Sequence, residues 1–186
     1  MRQTIVQELI NEVTQLSRCY AIWWQLANKA NRTRYGKVIT EDYWDFFSTI
    51  AEAQEEVFHV LIYQLFETKN LSIRTLIKEL SKSNPTASRK LAASLDDNKL
   101  LLEKVFTIRC NVHAHRSIKE APEAVYARVK LKPNEIKKLV VLAGDLVSSI
   151  AEAKGFGDKE DVQNEITRRE QLARQSTEKL LETLIV

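Results

Sequence analysis

The chain has 186 residues, 44% of them hydrophobic and 28% charged, a balance that supports a packed core and excludes a disordered or low-complexity segment. The length suits one domain over residues 1–186, with room for a long appended helix. A formal net charge of +3 is too small to identify a nucleic-acid partner by itself, and 4 Gly with 3 Pro leave few turn signals, so long elements with short connections are expected. Cys19 and Cys110 have no metal or redox spacing and are too few for a disulfide framework, which makes a reducing, cytoplasmic setting the expectation. The first residues lack the apolar core of a signal peptide. The most apolar run, Val57 to Phe66, is half a membrane span and contains His59 and Gln64, so no membrane crossing is expected.

Taken in order, Ile5, Leu9, Val13, Leu16, Tyr20, Trp23, Trp24 and Ala27 recur every three or four residues, one apolar stripe on a helix over about 3–31. Arg32 to Ile39 breaks the pattern. Thr40, followed by Glu41 and Asp42, has the form of a helix cap with acids at the positive end of the dipole. The helix it opens, running to about Glu67, is the most hydrophobic and is expected to be central. Ser72 is positioned to cap a short helix ending near Ser81, and Lys82 to Pro85 is a further break. A helix from Thr86 through Leu91, Leu95, Leu100, Leu101, Val105 and Ile108 delivers Arg109 near its end. Residues 117–132 have weak periodicity and read as mostly loop. Pro133 opens another helix at a permitted position, Gly155 and Gly157 end it, and Asp158 caps a long terminal helix over about 158–185. With no credible strand pair, the fold class is an all-α helical bundle of about five to six helices.

The convincing chemistry is packed into Ile108-Arg109-Cys110-Asn111-Val112-His113-Ala114-His115-Arg116-Ser117. Two of the three histidines, two arginines and a neutral amide stand in ten residues, the groups that handling a phosphodiester requires. The segment from Lys104 to Lys138 nets +6, so the basic excess lies on and after this stretch, as a phosphate-attracting surface or a solvated loop would have it. Arg109 and His113 share a helix face, whereas Arg109 and His115 are about 240° apart on an ideal helix. They converge only if the helix ends near Asn111 or if two copies of the chain meet. On spacing alone, a polar helix end with locally satisfied histidines fits equally well.

Two other constellations are weaker. Glu52, Glu55, Glu56 and His59 include the Glu-x-x-His spacing of di-iron bundles, but no second such motif exists, so a packed histidine with acids on its solvent edge is preferred and no metal is expected. Cys110 beside His113 makes a poor nucleophilic dyad. No glycine-rich phosphate loop is present.

The stretch resembles the signature of the HEPN superfamily, an arginine followed after four to six residues by a histidine; here five residues separate Arg109 from His115, and Ala114-His115-Arg116 is similar to a common ending. The aromatic-rich central helix followed by Leu71-Ser72-Ile73-Arg74-Thr75-Leu76-Ile77 is similar to the U-type abortive-infection HEPN proteins of bacteria, from about Trp44 to Ile150. The resemblance implies a metal-independent endoribonuclease without a cofactor, a toxin or phage-defence effector, that acts on RNA as a homodimer with two motifs in one composite site. His115 would be the acid/base at the ribose 2′-OH, Arg109 would hold the scissile phosphate with Asn111 assisting, and His113 and Arg116 would support RNA binding. An antitoxin or regulatory protein is a possible partner in such systems. Cys110 departs from the polar residue usual after the arginine, and Asn111 comes one position late to replace it. Ser117 stands where toxins silenced by tyrosine modification carry Tyr.

Overall fold

The structure, a computed structural model, describes residues 2–68, 71–114 and 120–185. Every regular element among them is helical, as expected. In order they are α1 (Arg2–Ala27), α2 (Lys29–Arg34), a π-helical turn (Val38–Asp42), α3 (Trp44–Phe66), α4 (Ile73–Ser83), α5 (Pro85–Asp96), α6 (Lys99–Ile108), a second π-helical stretch (Arg109–Ala114), α7 (Pro122–Val129), α8 (Pro133–Ala153) and α9 (Lys159–Thr183).

This exceeds the five to six helices anticipated, because short polar side chains cut elements that periodicity joins. Asn28 interrupts the first: its Nδ2 donates to the Trp24 carbonyl at 2.6 Å, and its Oδ1 accepts from Asn31 N at 2.9 Å, starting α2. Asp97 and Asn98 divide the helix expected from Thr86 to Ile108, with Asn98 Nδ2 donating to the Ser94 carbonyl at 2.9 Å. In each case a side-chain amide competes with the helical backbone for its carbonyls.

Two other expectations are corrected. Thr40 does not cap the central helix. Its Oγ1 donates back to the Gly36 carbonyl at 2.7 Å inside the first π turn, and α3 starts at Trp44. The turn is drawn inward by Tyr35, Val38 and Ile39, which are buried with Leu26, Phe47 and Leu181 in a small second core. The segment read as loop over 117–132 contains α7. Only Val125 of that helix is buried, which explains its faint periodicity; it opens on Pro122 and closes on Lys130, whose φ of 50° is left-handed.

The remaining signals hold. Ser72 and Thr75 form a reciprocal cap on α4. Pro133 is the first residue of α8, and Asp158 Oδ1 accepts from Glu160 N at 2.8 Å to open α9. Gly155, with φ at +74°, makes the turn between them in a conformation that favours glycine.

The main core lies between α1, α3 and α8, with α4, α5, α6 and α9 packed around it. As expected, α3 is central: it contacts α1, α4, α6, α8 and both π segments. At its heart Phe58 meets Trp23 and Tyr20 edge-on, at ring separations of 5.3 and 6.4 Å. The apolar end of the chain is partly used internally, since Leu181 is fully buried in the second core while Leu180 and Ile185 are exposed. Among the described residues, no helix is long and apolar enough to cross a membrane.

Candidate functional site

Helix α6 is anchored by Leu102, Val105 and Ile108, all buried, and its α-helical winding stops at Ile108. Arg109 to Ala114 continue as a π-helical stretch with i→i+5 bonding, a wider turn that recurs at functional sites. The angular register computed for an ideal helix therefore does not extend past Ile108. The turn lies across the C-terminal half of α3 and touches α7.

Two contacts fasten it to α3. The Arg109 guanidinium sits over the Tyr63 ring, its central carbon 4.3 Å from the centroid, and Tyr63 is itself braced edge-on by Phe106 at 5.0 Å. Arg109 Nε is buried with no hydrogen-bond partner among the described residues. One turn on, His113 Nε2 lies 3.2 Å from His59 Nδ1, with the two rings stacked at 29° and 5.2 Å between centroids. Asn111 Nδ2 donates to the Thr107 carbonyl at 2.7 Å, so the amide is engaged in holding the turn. Cys110 is a half-buried free thiol. His115, Arg116 and Ser117 lie outside the described residues.

The structure thus brings Arg109 and His113 together and adds residues that sequence reasoning set aside. Glu55, His59 and Tyr63 follow at intervals of four on one face of α3, with Tyr63 under Arg109 and His59 against His113 and Tyr126. Tyr126 of α7 and Trp23 of α1 lie beside Glu55, and both favour its charged form. The cluster on α3 was visible in the sequence as Glu52, Glu55, Glu56 and His59. Its second half is a histidine on another helix rather than a second Glu-x-x-His, so a search for matching metal motifs passes over it. Among the described residues, no three His, Cys, Asp or Glu side chains are grouped as metal ligands would be.

Burial sets the electrostatics here. It lowers His59, only 1% exposed, from the usual 6.5 to about 3, and the neighbouring His113 acts in the same direction. Burial also lowers His113, with Glu56 opposing and Arg109 reinforcing. Glu55 is raised by burial, partly offset by Tyr126 and Trp23, and Tyr126 is raised by burial and by Glu55. Both imidazoles are therefore neutral at physiological pH. Next to this cluster, a cavity of about 260 Å³ is lined by Trp23, Arg32, Trp44, Glu52 and Glu55 among others, with Trp44 half exposed at its rim.

A stability test follows from His59. An unfolded imidazole takes a proton near pH 6.5, whereas the folded one resists it until about 3. The unfolded state therefore binds more protons across that window. Stability is complete above 6.5 and falls as the pH drops through it, by up to about 1.4 kcal/mol per pH unit for one such group. Urea midpoints at pH 7, 6 and 5 should decline in the wild type and decline less steeply in His59→Asn, where His113 alone of the pair still resists protonation. A flat wild-type profile would contradict the buried neutral ring.

Of the basic excess between Lys104 and Lys138, Lys104 pairs with Glu135 at 2.7 Å and Arg128 with Glu120 at 2.8 Å, so both side chains are held locally.

The described residues form an all-helical scaffold that ends α6 in a wide turn and gathers an arginine and a histidine on the central helix. Residues 3–168 match the HEPN_AbiU2 family, AbiU2, and the chain belongs to it. Neither a curated protein nor a solved structure matches the chain.

Proposed function

We propose that this chain is a metal-independent endoribonuclease that acts in abortive infection or as the toxin of a toxin–antitoxin pair, and that it works as a homodimer with two motifs in one site. The observation that carries the reading is Arg109. Its guanidinium is held over the Tyr63 ring, and its Nε is buried and unpartnered among the described residues. No carboxylate among the described residues pairs with it, so a phosphate is the group its fork of N–H donors suits.

In this reading His115 takes the proton from a ribose 2′-OH, and the freed oxygen attacks the adjacent phosphorus. The bond to the 5′-oxygen breaks, and that oxygen receives a proton. The products are a 2′,3′-cyclic phosphate and a 5′-hydroxyl. Arg109 offsets the charge that develops on the phosphoryl oxygens, His113 and Arg116 hold flanking phosphates, and Asn111 contributes through the turn it ties to Thr107. The cavity beside Trp44 is large enough for an unpaired base, and its aromatic rim suits stacking.

One observation favours the alternative of a silent HEPN-like module that binds nucleic acid or a protein. The polar residue usual after the arginine is replaced by Cys110, and the nearest substitute amide, Asn111, already donates to Thr107. The deciding experiment incubates purified protein with a mixed RNA pool in EDTA and analyses the ends. Cutting that leaves 2′,3′-cyclic phosphates supports the nuclease. RNA bound without cutting supports the silent module.

A further inference from the structure

We propose that His59 is a positioning residue for the motif: its Nδ1–H donates to His113 Nε2, which fixes His113 as the tautomer carrying its proton on Nδ1 and makes it a neutral donor at the site. The catalytic consequence rests on the nuclease reading. The pairing itself does not.

Two imidazole nitrogens 3.2 Å apart require one to donate and the other to accept. If His113 donated, His59 would need its proton on Nε2. That atom is buried with no partner, so the result would be an N–H with no acceptor where water does not reach. If His59 donates from Nδ1, only a bare lone pair is left at Nε2, the less costly of the two. Burial opposes a second proton on either ring. His59 is therefore the Nδ1–H form, and a neutral His113 that accepts at Nε2 must carry its own proton on Nδ1.

This divides the work of the motif. His113 cannot take a proton at Nε2 without breaking its bond to α3, so it supplies an oriented N–H to a phosphate oxygen. Proton transfer to and from the ribose then falls to His115. The same bond explains why His59, 54 residues away in the chain, sits beneath a turn whose winding would otherwise be free to relax.

The chain has 3 histidines, so long-range ¹H–¹⁵N spectra of the full-length protein at neutral pH resolve each ring. The expected result is a protonated Nδ1 and a bare Nε2 on both His59 and His113. A proton on His113 Nε2, or averaging between its tautomers, overturns the proposal. His59→Asn places an amide N–H where Nδ1 stood and should keep the His113 tautomer, whereas His59→Leu should release it to a mixture; an unchanged His113 signal in His59→Leu also overturns it. Should His59→Leu not fold, the wild-type and His59→Asn spectra decide alone. On RNA, His59→Leu should lower kcat about tenfold to a hundredfold with KM little changed, less than the roughly hundredfold to thousandfold of removing a donor outright because His113 stays and loses only its orientation, and His59→Asn should recover most of it. The expected tautomers in a protein that cuts no RNA would leave the pairing standing and remove the nuclease reading.

Discussion

Replacing Arg109 by alanine is expected to lower RNA cleavage by about two to three orders of magnitude, the usual cost of removing one charge-stabilising donor. Arg109→Lys should recover little of it. A lysine keeps the charge but not the planar fork, and it does not reproduce the guanidinium set 4.3 Å over the Tyr63 ring. His115→Ala should lose about two to four orders, the range for removing a general acid/base. Single-turnover cleavage in EDTA measures these losses, and far-ultraviolet circular dichroism with melting curves checks that the fold survives. Arg109→Lys with wild-type turnover would mean that charge alone suffices and that the stacked geometry has no catalytic part. Cutting by wild type and His115→Ala at the same rate would point to a contaminant or to a different histidine.

The second large effect concerns stability. Phe58→Ala is expected to cost about 3–5 kcal/mol, the range for deleting a fully buried aromatic side chain. Phe58 is 0% exposed and closes an aromatic group with Trp23 and Tyr20 at the crossing of α1 and α3. A typical domain has only about 5–15 kcal/mol in hand, so this one change removes a large part of it. The lost ring also leaves a gap beside His59, whose ring lies 4.7 Å from it, so the histidine pairing should loosen in the same variant. Urea unfolding gives the number, with Leu100→Ala as the control. Leu100 is 78% exposed and its loss should stay within about 0.5 kcal/mol. A cost below 1 kcal/mol for Phe58→Ala would mean that the neighbouring rings collapse into the space.

Both effects meet on α3, which carries the core aromatic and the site histidine at adjacent positions. Phe58 faces α1, while His59 faces the π turn and α7. A helix that serves both ends of the architecture couples stability to the site, and substitutions in its C-terminal half should change folding and RNA handling together.

The all-helical class, the central place of α3, the caps at Ser72 and Asp158 and the opening of α8 at Pro133 could all be read without coordinates. Each is encoded locally, by a period of three to four apolar residues or by a side chain that satisfies the first amides of a helix. The clustering of Arg109 with two histidines was equally plain, because it lies within ten residues. Three things were decided only by the tertiary structure. The breaks at Asn28 and at Asp97-Asn98 depend on a contest between side-chain amides and helical carbonyls that packing resolves. The π winding after Ile108 depends on what the turn rests upon, since nothing in Arg109 to Ala114 demands the wider ring. The union of Glu55, His59, Tyr63 and Tyr126 with the motif joins three helices distant in sequence, and no periodicity records which buried faces will meet. A histidine on an apolar helix looks like core from sequence alone, and it becomes part of a site only when the fold sets a second histidine 3.2 Å away.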